Sequence, residues 1–194
     1  KIVLIMEPYS TTDIIKTLEE KNISLFTLAD FGRLFGHQNQ QTIYKKIQRL
    51  EKTGIIQKLI NGKYYYQFKP ALSFRIANFL YWPSYISLES ALSFYSIITG
   101  FPYQITSITT QKSKLITADS REFQYSQIAD KFFWGYEAKE DFLIAEKEKA
   151  LLDYIYFGSK GLKDMTFDEM DFSQINKKKL FVYAKRMGIN KLPI

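Results

Sequence analysis

At 194 residues the chain has room for one large domain or two small ones, each able to bury a core. A hydrophobic share of 46% with 24% charged residues argues against a disordered chain, and the lack of cysteine excludes a disulfide framework, a thiolate nucleophile and a cysteine metal site. The formal charge of +7 suits a polyanionic partner without demanding one.

The first apolar run, Ile2–Met6, is too short for a signal-peptide core or a membrane span, so no membrane role and a cytoplasmic location are expected. Pro8 breaks the chain, and Ser10 is placed to cap a helix from about Thr12 to Glu20 with Ile14, Ile15 and Leu18 inward. Ile23–Phe26 can add a third strand to a later hairpin. Thr27-Leu28-Ala29-Asp30 has the form of a capping box, with an acid where the helix dipole favours one. Leu28, Phe31, Leu34 and Phe35 then share an apolar face, and Gly36 stops the helix. His37, the single histidine, falls in the turn that follows and is read as a turn residue, not a catalytic one.

Asn39–Phe68 reads as a helix, a glycine stop and a two-stranded hairpin. Ile43, Ile47 and Leu50 recur at i, i+4 and i+7 and must face inward, which turns Gln41, Lys45, Arg49 and Lys52 outward with Thr42 and Gln48 beside them. Asn39 is the expected N-cap and Gly54 the expected residue after the C-cap. Ile56–Ile60 and Lys63–Phe68 flank Asn61-Gly62, a pair suited to a type I′ hairpin turn. Helix, glycine and hairpin form the second half of a winged helix-turn-helix. Residues 39–69 hold Lys45, Lys46, Arg49, Lys52, Lys58, Lys63 and Lys69 against Glu51 alone, so most of the positive surplus sits on this element. Duplex DNA is therefore the expected partner. Lys45, Lys46, Lys58 and Lys63 are the candidate phosphate contacts. Gln40, Gln41, Thr42 and Arg49 are the candidate base readers, Tyr44 packs on sugar or phosphate, and Asn61 sits at the wing tip.

After Pro70 the composition changes. Ala71–Leu80 is apolar nearly all round and reads as a buried helix, ended near Pro83. Ser87 opens a helix with Leu88, Ala91, Leu92 and Tyr95 on one face, closed by Thr99-Gly100 and Pro102. Gln104–Thr110 and Glu122–Ile128 alternate as strands do, and Phe133–Glu137 and Phe142–Ala145 are two further β-rich pieces. Lys147–Phe157 is a helix burying Ala150, Leu151, Tyr154 and Ile155, and Ile175–Met187 is the last helix, closed by Gly188.

Chemistry-bearing residues are sparse in this half. Ser84, Ser87 and Ser90 read as backbone caps, since no GxSxG elbow accompanies them. Glu146, Glu148 and Asp153 read as surface ion pairs or a packing salt bridge, with a paired-carboxylate enzyme as the competing reading. The acidic stretch Asp164–Asp171 lacks EF-hand spacing, and no glycine-rich phosphate loop is present, so no metal or cofactor is expected. Lys112 and Lys114, with Lys177, Lys178 and Lys179 near the start of the last helix, form a candidate secondary basic patch. Cations there oppose the helix dipole, which leaves phosphate contact or plain solubility as their reason.

Four blocks in order, PSYISLESALSFYSII (83–98), ITSITTQKSK (105–114), FFWGYE (132–137) and IAEKEKALLDYIYF (144–157), resemble the abortive-infection antitoxin family AbiEi, the antitoxin side of type IV toxin–antitoxin systems. One departure is Lys147, where many relatives place a proline in the first helical turn; it costs some pre-organisation of the helix and no function. The resemblance implies an N-terminal winged helix that binds inverted repeats upstream of its own operon and represses it. It also implies a C-terminal domain that neutralises a nucleotidyltransferase-like toxin, directly or functionally, in phage defence.

The fold expected is α+β, a winged helix-turn-helix over residues 1–69 packed on a mixed α/β antitoxin domain over 70–194. The expected protein is an autoregulating repressor and antitoxin without catalysis, a monomer in solution with two copies on the operator. An adaptor whose winged helix binds no DNA, and an enzyme using C-terminal carboxylates, are the alternatives.

Overall fold

The computed structural model describes residues 9–36, 40–100, 102–162 and 165–193, and shows a mixed α+β chain with two separate sheets. Ile2–Met6, Pro8, His37, the expected cap Asn39 and Asp164 lie outside the described residues. Contacts divide the chain into two units, one through Leu72 and one from Ser73.

The first unit is assembled from short elements with explicit stops. Ser10 and Asp13 form a reciprocal capping box at the start of α1 (Thr11–Glu20): the Asp13 N–H donates to the Ser10 hydroxyl at 3.1 Å and the Ser10 N–H to the Asp13 carboxylate at 2.9 Å. The Ser10 hydroxyl also donates to that carboxylate at 2.6 Å, and together with the Ser10 N–H it holds the Asp13 carboxyl below its usual range. β1 (Leu25–Thr27) runs directly into α2 (Leu28–Leu34), so Thr27 is both a strand end and the cap of a second box with Asp30. Gly36, at φ +89°, takes the left-handed conformation that ends α2. Then follow α3 (Gln40–Lys52), β2 (Ile56–Ile60) and β3 (Lys63–Tyr66).

β3 is the central strand of an antiparallel sheet ordered β1-β3-β2, with Phe26 opposite Tyr64 and Ile56 opposite Tyr66. The run Ile23–Phe26 thus supplies the third strand, displaced by a residue or two. Ile14, Leu18, Phe26, Phe31, Phe35, Ile47, Leu50, Ile56, Tyr64 and Tyr66 form one core, with Ile15, Leu28, Leu34 and Ile43 at its rim. The hairpin departs from expectation. Only Gly62 takes positive φ (+75°) and Asn61 does not, so the turn is not type I′. The ladder shifts by one residue between Lys58 and Ile60, a β-bulge that turns Leu59 into the core.

The second unit contains α4 (Ser73–Leu80), β4 (Ser84–Ile86), α5 (Leu88–Phe94), β5 (Gln104–Thr109), β6 (Lys114–Ala118), β7 (Arg121–Gln127), β8 (Tyr136–Lys139), β9 (Phe142–Ala145), α6 (Lys147–Ser159) and α7 (Lys177–Met187). Its sheet is mixed, ordered β6-β7-β5-β4-β9-β8, with β5/β7 and β4/β9 parallel. All three residues of β4 are buried, so both faces are covered. Side-chain alternation puts Ile86, Ser107 and Tyr125 on the α4 face, where the Tyr125 hydroxyl donates to the Ala77 carbonyl at 2.6 Å. Tyr85 and Thr106 point the other way, to α6 and α5. Asn78 on α4 donates to the Ser84 carbonyl (3.2 Å) and accepts from the Leu143 N–H (2.7 Å), which satisfies a buried amide and ties α4 to two strands.

Two local expectations fail here, and two strands were not foreseen. The β-rich piece placed at Phe133–Glu137 is strand only from Tyr136; it follows a 3₁₀ turn (Asp130–Phe132) and reaches the strand through Gly135 at φ +74°. β4 and β6 were not legible as strands because each is short and lacks clean alternation. The serines do not cap with their side chains. Ser87 holds the N-cap position of α5, but its hydroxyl goes to Asp153, and the Ser90 hydroxyl accepts from the Thr106 N–H at 2.8 Å. Ser84 Oγ is buried with no hydrogen-bond partner among the described residues.

Candidate nucleic-acid interface

Packing of Ile47 and Leu50 into the first core, with Ile43 half-buried, fixes the rotation of α3. Gln40, Gln41, Thr42, Tyr44, Lys45, Gln48, Arg49 and Lys52 are therefore exposed along its outer side, Tyr44 at 45%. Among the described residues Lys45, Arg49 and Lys52 form no ion pair, so their charge projects into solvent. Lys58 and Asn61 are exposed on the hairpin. The structure thus sets eight of the ten residues singled out from sequence on the open surface of α3 and the hairpin.

Two behave differently. Lys46 is half-buried and its ammonium donates to the Tyr9 carbonyl, so it works as a tie between α3 and the start of α1. Lys63 is half-buried opposite Thr27, and burial lowers its pKa from the ordinary lysine value. Neither position was distinguishable from its neighbours by charge or spacing.

The hairpin is held in register with the helices by a backbone bond. The Leu28 N–H, at the start of α2, donates to the Gly62 carbonyl at the tip of the β2–β3 turn (2.9 Å). At the other end of β3 the Tyr66 hydroxyl donates to Glu19 on α1 at 2.7 Å, and burial with that carboxylate pushes the phenol up to about 12.

The secondary basic patch is only partly outward. Lys112 is exposed, and Lys114 lies over the Tyr81 ring at 5.7 Å. Lys177 and Lys178 are exposed, but Lys179 bridges Glu146 (3.1 Å) and Glu148 (3.3 Å). Burial works against the charge of Lys179, yet the two carboxylates outweigh it and hold its pKa above the ordinary value. Lys179 thus has a structural reason that its place beside the helix dipole concealed.

The carboxylates considered for catalysis sit inside the second unit. Glu148 is 5% exposed and accepts from the Asn176 N–H at 2.9 Å, while Glu146 accepts from the Tyr183 hydroxyl at 2.6 Å. Asp153 is fully buried, paired with an equally buried Lys149, and accepts from the Ser87 hydroxyl (2.8 Å) and the Tyr85 hydroxyl (3.0 Å). Burial pushes the Asp153 carboxyl up against the pull of Lys149, and burial with Asp153 pushes the Tyr85 phenol well up. Asp153 is therefore the packing salt bridge of the two expectations and not a surface ion pair, and its partner Lys149 escaped the sequence reading altogether. Among the described residues no group of three or more acids and histidines is arranged to hold a metal, and no helix is long and apolar enough to cross a membrane. A scan against protein-family models gives no match to this chain, and a search of curated proteins gives none.

Proposed function

We propose that the chain is a sequence-specific DNA-binding repressor whose first unit is a winged helix-turn-helix, α3 being the recognition helix and β2–β3 the wing. The observation that carries this reading is the outer side of α3, where amides, a hydroxyl and cations stand exposed opposite an inner side packed through Ile47 and Leu50. A major groove admits a helix of this kind. Gln41, Thr42 and Arg49 can then reach base edges, while Lys45 and Lys58 meet phosphates and set register. The order α1, β1, α2, α3, β2, β3 and the three-stranded sheet support the same reading.

For the second unit we propose the antitoxin role, resting on the four blocks that resemble the AbiEi family. Two of those blocks carry the interior Tyr85–Ser87–Lys149–Asp153 network, and a third supplies Gly135 beside it. The carboxylates Glu148 and Asp153 are occupied by internal partners, which supports a neutralising role without catalysis. Gel-shift of the chain on the DNA upstream of its own reading frame tests the first part; no preference over scrambled DNA would overturn it. Co-expression with a nucleotidyltransferase-like protein, such as the resemblance implies is encoded alongside, tests the second. The full chain should rescue growth and residues 1–72 should not, and rescue by the shorter piece would overturn the division of labour.

A further inference from the structure

From residue 175 onward the sequence carries six cations and no acid. Two of the six are engaged within the second unit: Lys179 bridges Glu146 and Glu148, and the Arg186 guanidinium lies 4.0 Å from the centre of the Trp134 ring. These contacts, with the Tyr183 hydroxyl on Glu146 and a buried inner face of Leu180, Ala184 and Met187, fix the orientation of α7. Left facing outward are Lys178, Phe181, Val182 and Lys185, at i, i+3, i+4 and i+7. Phe181 is 57% exposed and Val182 66%. With 3.6 residues per turn, Phe181 and Val182 lie side by side at the middle of this face, and Lys178 and Lys185 lie about one turn before and after them. Phe181 and Lys185 also border a groove of about 460 Å³ whose wall includes Ile189 and Leu192.

We propose that this face of α7 docks an acidic protein segment, one that sets carboxylates against Lys178 and Lys185 and an apolar side chain between Phe181 and the groove. The inference rests on the second unit alone and is independent of DNA binding by the first. Charge complementarity selects the partner, since a face with cations and no acid calls for carboxylates. A second copy docking through the same face would bring like charges together. A membrane surface needs a continuous apolar stripe, and here Lys178 and Lys185 limit the apolar part to a single turn. Nucleic acid would use the cations and could stack on Phe181, but Val182, Ile189 and Leu192 offer it neither a hydrogen bond nor a stacking plane. An apolar centre with charges around it is the anatomy of a protein interface. Because α7 is already held in place, docking costs little ordering of this side.

The test uses the full chain and a labelled helical peptide carrying Glu and Leu at amphipathic spacing, followed by fluorescence anisotropy. Polyglutamate of equal length, single-stranded DNA and phosphatidylserine vesicles are the comparison probes. The amphipathic peptide should bind about tenfold more tightly than polyglutamate, the scale of one central apolar contact. Phe181→Ser with Val182→Ser, and separately Lys178→Glu with Lys185→Glu, should each weaken it about tenfold with the melting temperature unchanged, since all four side chains point outward. Amide shifts on binding should map to α7. Absence of peptide binding, equal binding by the variants, or α7 shifts with single-stranded DNA or vesicles in place of the peptide would each overturn the proposal. So would loss of operator binding in Lys178→Glu, which would make the face a nucleic-acid surface.

Discussion

On α6 the Lys149 ammonium and the Asp153 carboxyl group meet one helical turn apart, and both side chains are wholly withdrawn from water. The Tyr85 hydroxyl lies 3.0 Å from each of them, so the pair is embedded in further polar contacts. Removing one member of such a pair strands the other, at a cost of about 3–5 kcal/mol, whereas replacing both with apolar groups of like volume is often near neutral. Lys149→Met and Asp153→Leu should therefore each destabilise the chain strongly, and the double variant should lose less than the sum. A double-mutant cycle from urea denaturation measures the coupling. Simple additivity would show that the two charges do not sustain one another.

Gly135 has a specific reason to be glycine. Its φ is +74°, and a Cβ there would lie 3.0 Å from Lys149 Cγ, so an added methyl group meets both backbone strain and the buried lysine stem. Gly135→Ala should cost about 1–3 kcal/mol, the range for a side chain forced into a sparsely populated backbone region. Urea denaturation reads it directly, and an unchanged midpoint would refute it.

These two residues also show where sequence reading runs out. The caps of α1 and α2, the inward face of α3 and the stop at Gly188 were legible because each is set by residues within one turn of one another. Lys149 was not, since a lysine one turn from an aspartate reads as a solvated pair, and its burial depends on Tyr85, Trp134 and Gly135 arriving from distant segments. The same holds for Ser87, whose hydroxyl prefers a distant buried carboxylate to the helix end beside it. The bulge at Leu59 was hidden for another reason: Asn61-Gly62 suits a type I′ turn in isolation, and packing of Leu59 shifts the ladder instead. In the candidate interface, exposure along α3 followed from periodicity, but the tie made by Lys46 needed the position of Tyr9.

Arg49→Ala or Gln41→Ala should relax sequence preference, by about 1–3 kcal/mol for a good bidentate base contact. Lys58→Ala, on the exposed side of β2, should weaken operator and scrambled DNA alike and reduce the salt slope by about one unit per lost phosphate contact. Titrations of each variant at several salt concentrations separate the two outcomes. A specificity change in Lys58→Ala with none in the α3 variants would move base reading from the helix to the wing.

Alkaline pH should loosen the first unit through Tyr66. Its phenol rises from 10.0 to about 12 in the folded chain, through burial and then the bond to Glu19. A raised value means the folded state holds the proton more tightly than the unfolded one. The stabilisation is therefore complete below about pH 10 and is lost as pH climbs toward 12. Tyr66→Phe should flatten that part of the alkaline stability profile, and an identical profile in wild type and variant would exclude the mechanism. Tyr85, Tyr95 and Tyr125 are raised as well, so they should contribute late phenolate absorbance that Tyr66→Phe leaves in place.

The bond from the Leu28 N–H to the Gly62 carbonyl constrains substitution in a way that helix rules alone would miss. Leu28 is the first residue of α2, a position where proline is ordinarily welcome because its N–H has no partner within the helix. In this chain that N–H is already engaged by the tip of the hairpin. A proline at this position would leave α2 intact and remove the bond that ties the hairpin's tip to the start of that helix, so a substitution neutral by helix rules would loosen the sheet end where Lys63 pairs with Thr27.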